Sequence, residues 1–373
     1  MIQSEIFFER LQSQFNAELP FIAFRKPNGS TLKAYLQKDS TLYLLSDYRE
    51  NGFVFAPFIS EKNTVLIPTL NSKTIECNLD KSAKTEKSHQ NQNSNIEQKN
   101  IHIAIVQSAI EAIKSNEFQK VVISRKEIIP LHDDNPIDIF RRLINTYETA
   151  FVYCFYHPKV GLWLGATPEI LMQIEGNQLT TMALAGTQIF DGTLDVVWKC
   201  KEKEEQQLVT DFIVDILQSS VANLQVSKAE TVKAGNLLHL KTSIKANLNR
   251  KTLNLEQLLK AIHPTPAVCG FPKEKAKEFI LKNEKYEREF YTGFLGELNI
   301  KDRTSRNSNR HNVENDAYVS IKTMSNLYVN LRCVQLKDNQ AFIYVGAGIT
   351  KDSIAENEWE ETVSKARVIK NIL

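Results

Sequence analysis

Glu202 and Glu205, and again Glu358 and Glu361, form two carboxylate pairs at i, i+3 spacing. In the first segment Leu208, Val209, Phe212, Ile213, Ile216 and Leu217 mark one helix face. Stepping back along that face by three or four residues reaches Glu205 and then Glu202. In the second segment Glu358, Glu361, Lys365 and Val368 share one stripe. Glutamates in a first helical turn are also favoured by the macrodipole alone. Carboxylates that continue a core-facing stripe, however, are costly without partners, so they are paired or hold a metal. No histidine stands at i+3, against a di-iron pattern. Oxygen-only ligands point to a hard cation, and Mg²⁺ typically takes one or two carboxylates together with a substrate anion and waters.

Other residues could hold an anion or move a proton. Arg332 stands in an apolar run, YVNLRCVQL, read as a strand. A guanidinium there calls for a planar acidic partner, either structural or a bound carboxylate. Gly346-Ala347-Gly348 follows the strand-like run Ala341–Val345, and Ala185-Gly186-Thr187 follows Leu184. Bare backbone amides at such turns can approach an anion closely. Position 351 is lysine, so the third glycine of a dinucleotide fingerprint is missing and that ligand class is excluded. Lys120 opens the strand KVVISR, where a lysine reads first as a solvated strand end. Glu169 follows the turn Gly165-Ala166-Thr167-Pro168 and, on sequence physics alone, is one more exposed glutamate.

The elements that must position these residues can be read in outline. Short apolar segments at Phe21–Phe24, Leu42–Leu45 and Val65–Ile67 predict strands with turns between them over residues 1–78. Residues 81–100 carry one branched apolar residue, Ile96, and no aromatic, which predicts a polar linker or long loop. A helix follows, with Ile101, Ile105, Ala109 and Ile113 as its stripe. Asn135-Pro136 reads as an N-cap and first helical position, ahead of Ile137, Phe140, Ile144 and Tyr147. Strands fill 151–183, turning at Glu175–Gln178, and a helix covers 201–218. Strand-like sequence at 229–248 precedes a helix near 254–262, which Pro264 and Pro266 stop. Residues 301–316 read as a loop, 327–345 as a hairpin turning at 337–340, and 355 to the end as a helix. No regular βαβ beat appears, so the fold class expected is α+β.

Composition removes several alternatives. The 373 residues carry 46 basic and 44 acidic side chains, net +2, with no basic stripe, so no nucleic acid is expected. No apolar run approaches the roughly 18 residues of a membrane span. The opening MIQSEIFFER has no basic region followed by an apolar core, so neither a signal peptide nor a membrane is expected. Five cysteines without a CxxC spacing exclude a structural zinc motif and a disulfide framework, and reduced thiols point to a cytoplasmic protein.

Nine fragments, in this order, carry a resemblance: KVVISR, GATPE, LAGT, KEKEEQQLV, LLHL, HPTPAVCGFP, LRC, GAGI and EWEETVSK. Together they resemble the chorismate-utilising enzymes over about residues 100–373, and most closely the isochorismate-forming branch. The resemblance implies large sheets packed together with helices outside and an active site in a cleft at the sheet core. It implies a variable N-terminal part of the same fold over 1–100 and a chorismate-binding catalytic domain over 101–373. Lys120 resembles the base that activates water for attack at C2 of chorismate, and Glu169 the acid that protonates the departing C4 hydroxyl. Glu205 and Glu361 match direct Mg²⁺ ligands, and Glu202 and Glu358 supporting carboxylates. Arg332, Gly346 and Lys365 match positions holding the substrate carboxylates, with Gly186, Thr187 and His239 nearby. Ala267, Leu331 and Tyr344 fall where the family lines its pocket.

These roles fit the chemistry. Chorismate is a dianion, so its site needs cations and amide donors. Exchanging one hydroxyl for another across a ring needs a base and an acid on separate sides. The base must reach its neutral form and the acid must keep its proton, which burial favours for a carboxyl group. The run LVTDFIVDIL stands where amino-transferring relatives carry LVDLARND, which favours water over ammonia. The expected product is isochorismate, feeding menaquinone or catechol siderophore synthesis, from a monomer without a glutaminase subunit. Salicylate synthases, which go on to eliminate pyruvate, share the lysine and the glutamate and are the alternative.

Overall fold

The computed structural model describes residues 1–59, 62–79, 96–131, 135–218, 221–249, 254–304 and 320–373. The first part runs α1 (Ser4–Asn16), β1 (Phe21–Arg25), β2 (Thr31–Gln37), β3 (Tyr43–Leu44), β4 (Gly52–Ala56), β5 (Val65–Pro68) and β6 (Ser72–Asn78). Next come α2 (Ile96–Lys114), β7 (Lys120–Pro130), α3 (Pro136–Thr146), β8 (Phe151–His157), β9 (Gly161–Thr167), β10 (Ile170–Glu175) and β11 (Gln178–Ile189). Then follow α4 (Cys200–Gln218), β12 (Val221–Val226), β13 (Glu230–Ala234), β14 (Leu237–Leu248), α5 (Leu255–Ile262), β15 (Gly270–Phe271) and α6 (Lys273–Asn283). The chain closes with β16 (Phe294–Thr304), β17 (Ser320–Val329), β18 (Cys333–Lys337), β19 (Gln340–Ile349) and α7 (Ala355–Lys370).

The strands form two sheets, in the orders β15-β7-β19-β18-β9-β8-β1-β2-β6 and β12-β14-β11-β10-β17-β16-β4-β5-β3, with β13 pairing β14 beside the second path. Neighbouring strands run antiparallel, for example Gly346 opposite Ser124 and Gly348 opposite Val122 in the β7–β19 pair. The expected α+β class with large packed sheets is what the chain adopts.

The sheets face each other across an aromatic layer that includes Phe24, Phe53, Phe55, Phe151, Trp163 and Tyr328. Helices cover the outer faces. Helices α1, α3 and the end of α7 lie on the first sheet through Phe7, Phe140, Leu143 and Ile369. Helices α4 and α5 lie on the second through Val209, Ile213, Leu258 and Leu259. Strands covered on both faces need apolar residues at every position. Strand β1 shows this: Phe21 and Ala23 point to the helices, Ile22 and Phe24 to the aromatic layer.

Several sequence expectations need correction. Residues 4–16 are a helix, not a strand-and-turn segment, and α6 was not anticipated at all. Both have sparse apolar stripes, with Phe7, Phe8 and Leu11 buried in α1 and only Ala276 and Ile280 in α6. Helix α2 begins at Ile96, inside the stretch read as linker, whose residues 81–95 lie outside the described residues. Its buried stripe is His102, Val106, Ala109, Ala112 and Ile113, while Ile101 is 49% exposed. Ala109 and Ile113 of the expected stripe are buried, while in the first half of the helix His102 and Val106 take the places expected for Ile101 and Ile105. Residues 301–304 continue β16, and the rest of the expected loop, 305–316, is outside the described residues. Residues 327–329 belong to the second sheet, so the expected hairpin is shorter, β18 to β19.

Candidate active site

A cleft opens where the ends of both sheets meet helices α4 and α7. Among the residues named from sequence it is lined by Glu169, Gly186, Thr187, Glu205, His239 and Ala267. Leu331, Arg332, Tyr344, Gly346, Glu361 and Lys365 complete that set. Lys120 lies behind the wall and is fully buried. Glu202 and Glu358 line an adjoining depression together with Glu361, which faces both spaces.

Strand β7 delivers Lys120. Its carbonyl is pressed against Gly270, where a Cβ would lie 2.2 Å from it. Lys120 Nζ lies 2.8 Å from Glu205 Oε1, yet that approach lies off the hydrogen-bond direction and the ammonium has no acceptor among the described residues. Lys120 is therefore no solvated strand end. Helix α4 is set by Gln206, whose amide donates to Ala183 O and Thr242 Oγ1, both at 3.1 Å. This turns the neighbouring Glu205 toward the cleft.

The two glycine runs lie within strands rather than in turns. Gly346 and Gly348 lie inside β19, not after it. A Cβ on Gly348 would stand 2.4 Å from Glu205 Oε1 and 3.2 Å from Lys120 Cε. One on Gly346 would stand 3.0 Å from Tyr291 Oη. The glycines make room for neighbouring side chains. Gly186 and Thr187 sit within β11 at a bulge between Ala185 and Gln188, with Gly186 at φ +71.

Arg332 is also not a strand residue. It links β17 to β18, crossing from one sheet to the other, with φ +48. His239 Nδ1 lies 2.7 Å from Gly186 O, and a carbonyl only accepts, so this network puts the proton on Nδ1. The lone pair on Nε2 then faces Arg332 Nη2 at 3.4 Å. Burial, with Arg332 and Lys365 adding to it, pushes His239 down to about 3. The ring is neutral and serves as an orienting acceptor for Arg332.

Glu169, 4% exposed, joins β9 to β10. Burial pushes its carboxyl up to about 8, although Lys120, Arg332 and Lys365 pull the other way. It is a protonated acid at neutral pH, not the exposed glutamate that sequence physics alone suggested. Glu169 and Lys120 reach the site from strands that β18 and β19 separate.

Helix α7 is locked to β7 by Arg125, which stacks on Trp359 at 4.4 Å and donates to Thr362 Oγ1 at 2.8 Å. Glu358 and Glu361 thereby face inward. Lys365 Nζ lies 2.6 Å from Glu361 Oε1 and donates to Gly346 O at 2.9 Å. Lys201 pairs with Glu358. Burial and then the charge of Glu361 raise Glu358 above the usual carboxylate range, against the pull of Lys201.

Among the described residues no three His, Cys, Asp or Glu side chains stand grouped for a metal ion, since lysines occupy three of the four carboxylates. The donor set nonetheless fits a hard cation. Two carboxylates from α4 and two from α7 line the cleft and its adjoining depression, Glu202 Oε2 is buried with no hydrogen-bond partner among the described residues, and Glu361 raises Glu358 against the pull of Lys201. The lysines stand in for positive charge that this crowd of carboxylates requires.

Sequence reasoning missed Lys201 and Tyr291. Tyr291 stacks on Tyr344 at 5.6 Å and fills the space over Gly346. Only the close contacts of the folded chain reveal it.

Two family models described as chorismate binding enzyme match residues 42–305 and 317–371. The first begins well before residue 100, so the likeness also takes in part of the N-terminal region. Isochorismate synthase EntC of Escherichia coli (strain K12) is 30% identical over 272 residues, 69% of this chain and 62% of that protein. The salicylate biosynthesis isochorismate synthase of Pseudomonas aeruginosa is 27% identical over 279 residues, 72% of this chain and 54% of that protein. The match thus spans less than two thirds of either relative. Among solved structures, MenF, the menaquinone-specific isochorismate synthase of Escherichia coli, superposes with a TM-score of 0.73 at 20% identity, covering 95% of this chain and 88% of that one.

Proposed function

The chain belongs to the chorismate-binding enzymes, and from that premise we propose that it converts chorismate to isochorismate. The observation that carries this reading is a buried, protonated Glu169 and a buried Lys120 at one cleft that also holds Arg332 and Lys365. One group can give a proton and the other can take one, as hydroxyl exchange requires.

Arg332 and Lys365 neutralise the two carboxylates of the substrate, Arg332 through its planar fork and Lys365 as a point charge. Tyr344 and Leu331 form apolar wall beside the ring. Lys120 draws a proton from water attacking C2, and Glu169 gives its proton to the C4 hydroxyl as that leaves. The proton count balances, since one water enters and one departs. Glu205 and Glu361 would hold Mg²⁺, with Glu202 and Glu358 behind them. That ion, when bound, supplies positive charge to a substrate carboxylate and frees the lysines now paired with the glutamates.

The test is incubation with chorismate and Mg²⁺, with and without EDTA, and chromatography of the products. Isochorismate alone supports the proposal. Salicylate with pyruvate assigns the chain to the eliminating branch, and no turnover with water or ammonium overturns both readings.

A further inference from the structure

The buried ion pair Glu284–Arg288 lies outside the groups used above, yet it touches three segments of the cleft wall. Arg288, 3% exposed, binds Glu284 through two nitrogens, Nε to Oε2 at 2.8 Å and Nη2 to Oε1 at 2.6 Å. Its remaining donors go to Val122 O at 2.7 Å, Val268 O at 3.0 Å and Thr292 Oγ1 at 3.3 Å. Val122, Val268 and Thr292 all line the cleft. Glu284 Oε1 in turn accepts from the backbone N and the hydroxyl of Ser124, each at 2.8 Å.

These contacts bear on Lys120. Lys120, Val122 and Ser124 alternate along β7, so their side chains share one face. The pair grips the carbonyl of Val122 and the amide of Ser124 on that strand. It holds Val268 on the segment whose Cys269 O accepts from Val122 N at 2.8 Å. A fork fixed by a carboxylate has the geometry to bind two carbonyls from different segments at once, which an ammonium lacks.

We propose that Glu284 and Arg288 are positioning residues that set Lys120 and the cleft wall in register, acting through the backbone of β7 and of residues 268–269. The proposal rests on the chorismate reading for its catalytic consequence, while its structural half stands on the contacts alone.

The test uses the full chain with Cys200→Ser, which removes the one exposed thiol. On that parent, Arg288→Lys keeps the charge but loses the fork, and Glu284→Gln loosens the fork's anchor. Ser124→Ala, a milder change, covers the case in which either fails to fold. Each is assayed for kcat/KM with chorismate well below its melting temperature. Each is also labelled with a thiol reagent, with rates at Cys269, Cys77 and Cys154 followed by mass spectrometry; all three are buried. The expected result is a loss in kcat/KM of about tenfold or more, the scale on which small misplacements act, with labelling faster at Cys269 alone. Unchanged kcat/KM in every folded variant, or labelling that rises equally at all three cysteines, overturns the proposal. If the parent itself does not turn over chorismate, the functional reading fails instead, and the labelling pattern alone decides the clamp.

Discussion

Lys120 Nζ stands 2.8 Å from Glu205 Oε1, so the lysine assigned as base is charge-paired to a carboxylate assigned to the metal. The two roles compete for one contact. A cation taking Glu205 would leave the lysine without that partner.

Lys120→Met is expected to lower kcat for chorismate by about 10²–10⁴-fold, the usual weight of general acid–base catalysis. Lys120→Arg keeps a positive charge beside Glu205 but does not release its proton near neutral pH, so it should be equally slow. Steady-state kinetics on both variants decides the point. An active Lys120→Arg enzyme would reduce the lysine to a charge partner.

Glu169 predicts a pH dependence with a definite sign. Its carboxyl is raised from 4.5 to about 8, so the folded protein binds the proton more tightly than the unfolded chain. The associated stability is fully present below pH 4.5 and is lost as pH rises through about 8. Activity should fall over the same alkaline limb, since the acid is then ionised. Glu169→Gln should remove that limb from the kcat/KM profile, lower kcat by about 10²–10⁴-fold, and flatten the stability profile between pH 4.5 and 8. A profile identical to that of the parent would mean that another group titrates.

Helical phasing is local, so the carboxylate stripes are legible in the sequence, whereas Lys120 and Glu169 stand out only through the family resemblance. Glu358, Glu361 and Lys365 share a stripe on any helix, and α7 presents them inward as that stripe requires. What could not be read is long-range. Gly346 and Gly348 looked like an anion-binding turn, because nothing local shows Glu205 and Tyr291 arriving from other elements to fill the missing Cβ space. Arg332 looked like a strand residue, because its φ of +48 is imposed by the crossing between sheets. Helix α1 hid for the same reason: its stripe is only as wide as the sheet edge it covers.

Gly348→Ala places a methyl 2.4 Å from Glu205 Oε1, a distance that forces the carboxylate aside. The expected outcome is weaker Mg²⁺ activation, with the half-saturating concentration raised about tenfold or more, as one carboxylate ligand is lost. Gly346→Ala meets Tyr291 Oη at 3.0 Å instead, and should change KM for chorismate while leaving Mg²⁺ activation as in the parent. Mg²⁺ titrations of the two variants separate these effects, and equal behaviour would argue against Glu205 as a ligand.

His102 makes the protein acid-sensitive. It is 2% exposed, packs on Trp359 at 5.7 Å, and neither ring nitrogen has a hydrogen-bond partner among the described residues. Burial, with Arg125 adding to it, pushes it from 6.5 down to about 4. A depressed value means that the stability is present above pH 6.5 and is lost as pH falls through about 4. His102→Leu should therefore be neutral or stabilising at pH 7 and lose about 2 kcal/mol less than the parent on going to pH 5. Urea unfolding at the two pH values measures the difference. Equal losses in both proteins would place the acid sensitivity on His239 and His263, which burial depresses to about 3.

Arg332 should trade stability for activity. Its backbone sits at φ +48, where any residue with a Cβ is strained and glycine is not. Burial pulls the guanidinium below its ordinary value, with Tyr291 and then Glu361 opposing that pull. The cleft thus holds a desolvated cation whose nearest aligned partner is the neutral ring of His239, at 3.4 Å. On the proposed reading both costs are recovered when the substrate's carboxylate arrives. Arg332→Gly is expected to melt at or above the parent temperature, with a gain of about 1 kcal/mol from the relaxed backbone, and to lose measurable turnover. Arg332→Lys keeps the strain and the charge but not the fork, so it should raise KM more than it lowers kcat. Melting curves and kinetics on the pair decide the matter: an Arg332→Gly protein that unfolds more easily would show that the arginine is part of the scaffold rather than held at its expense.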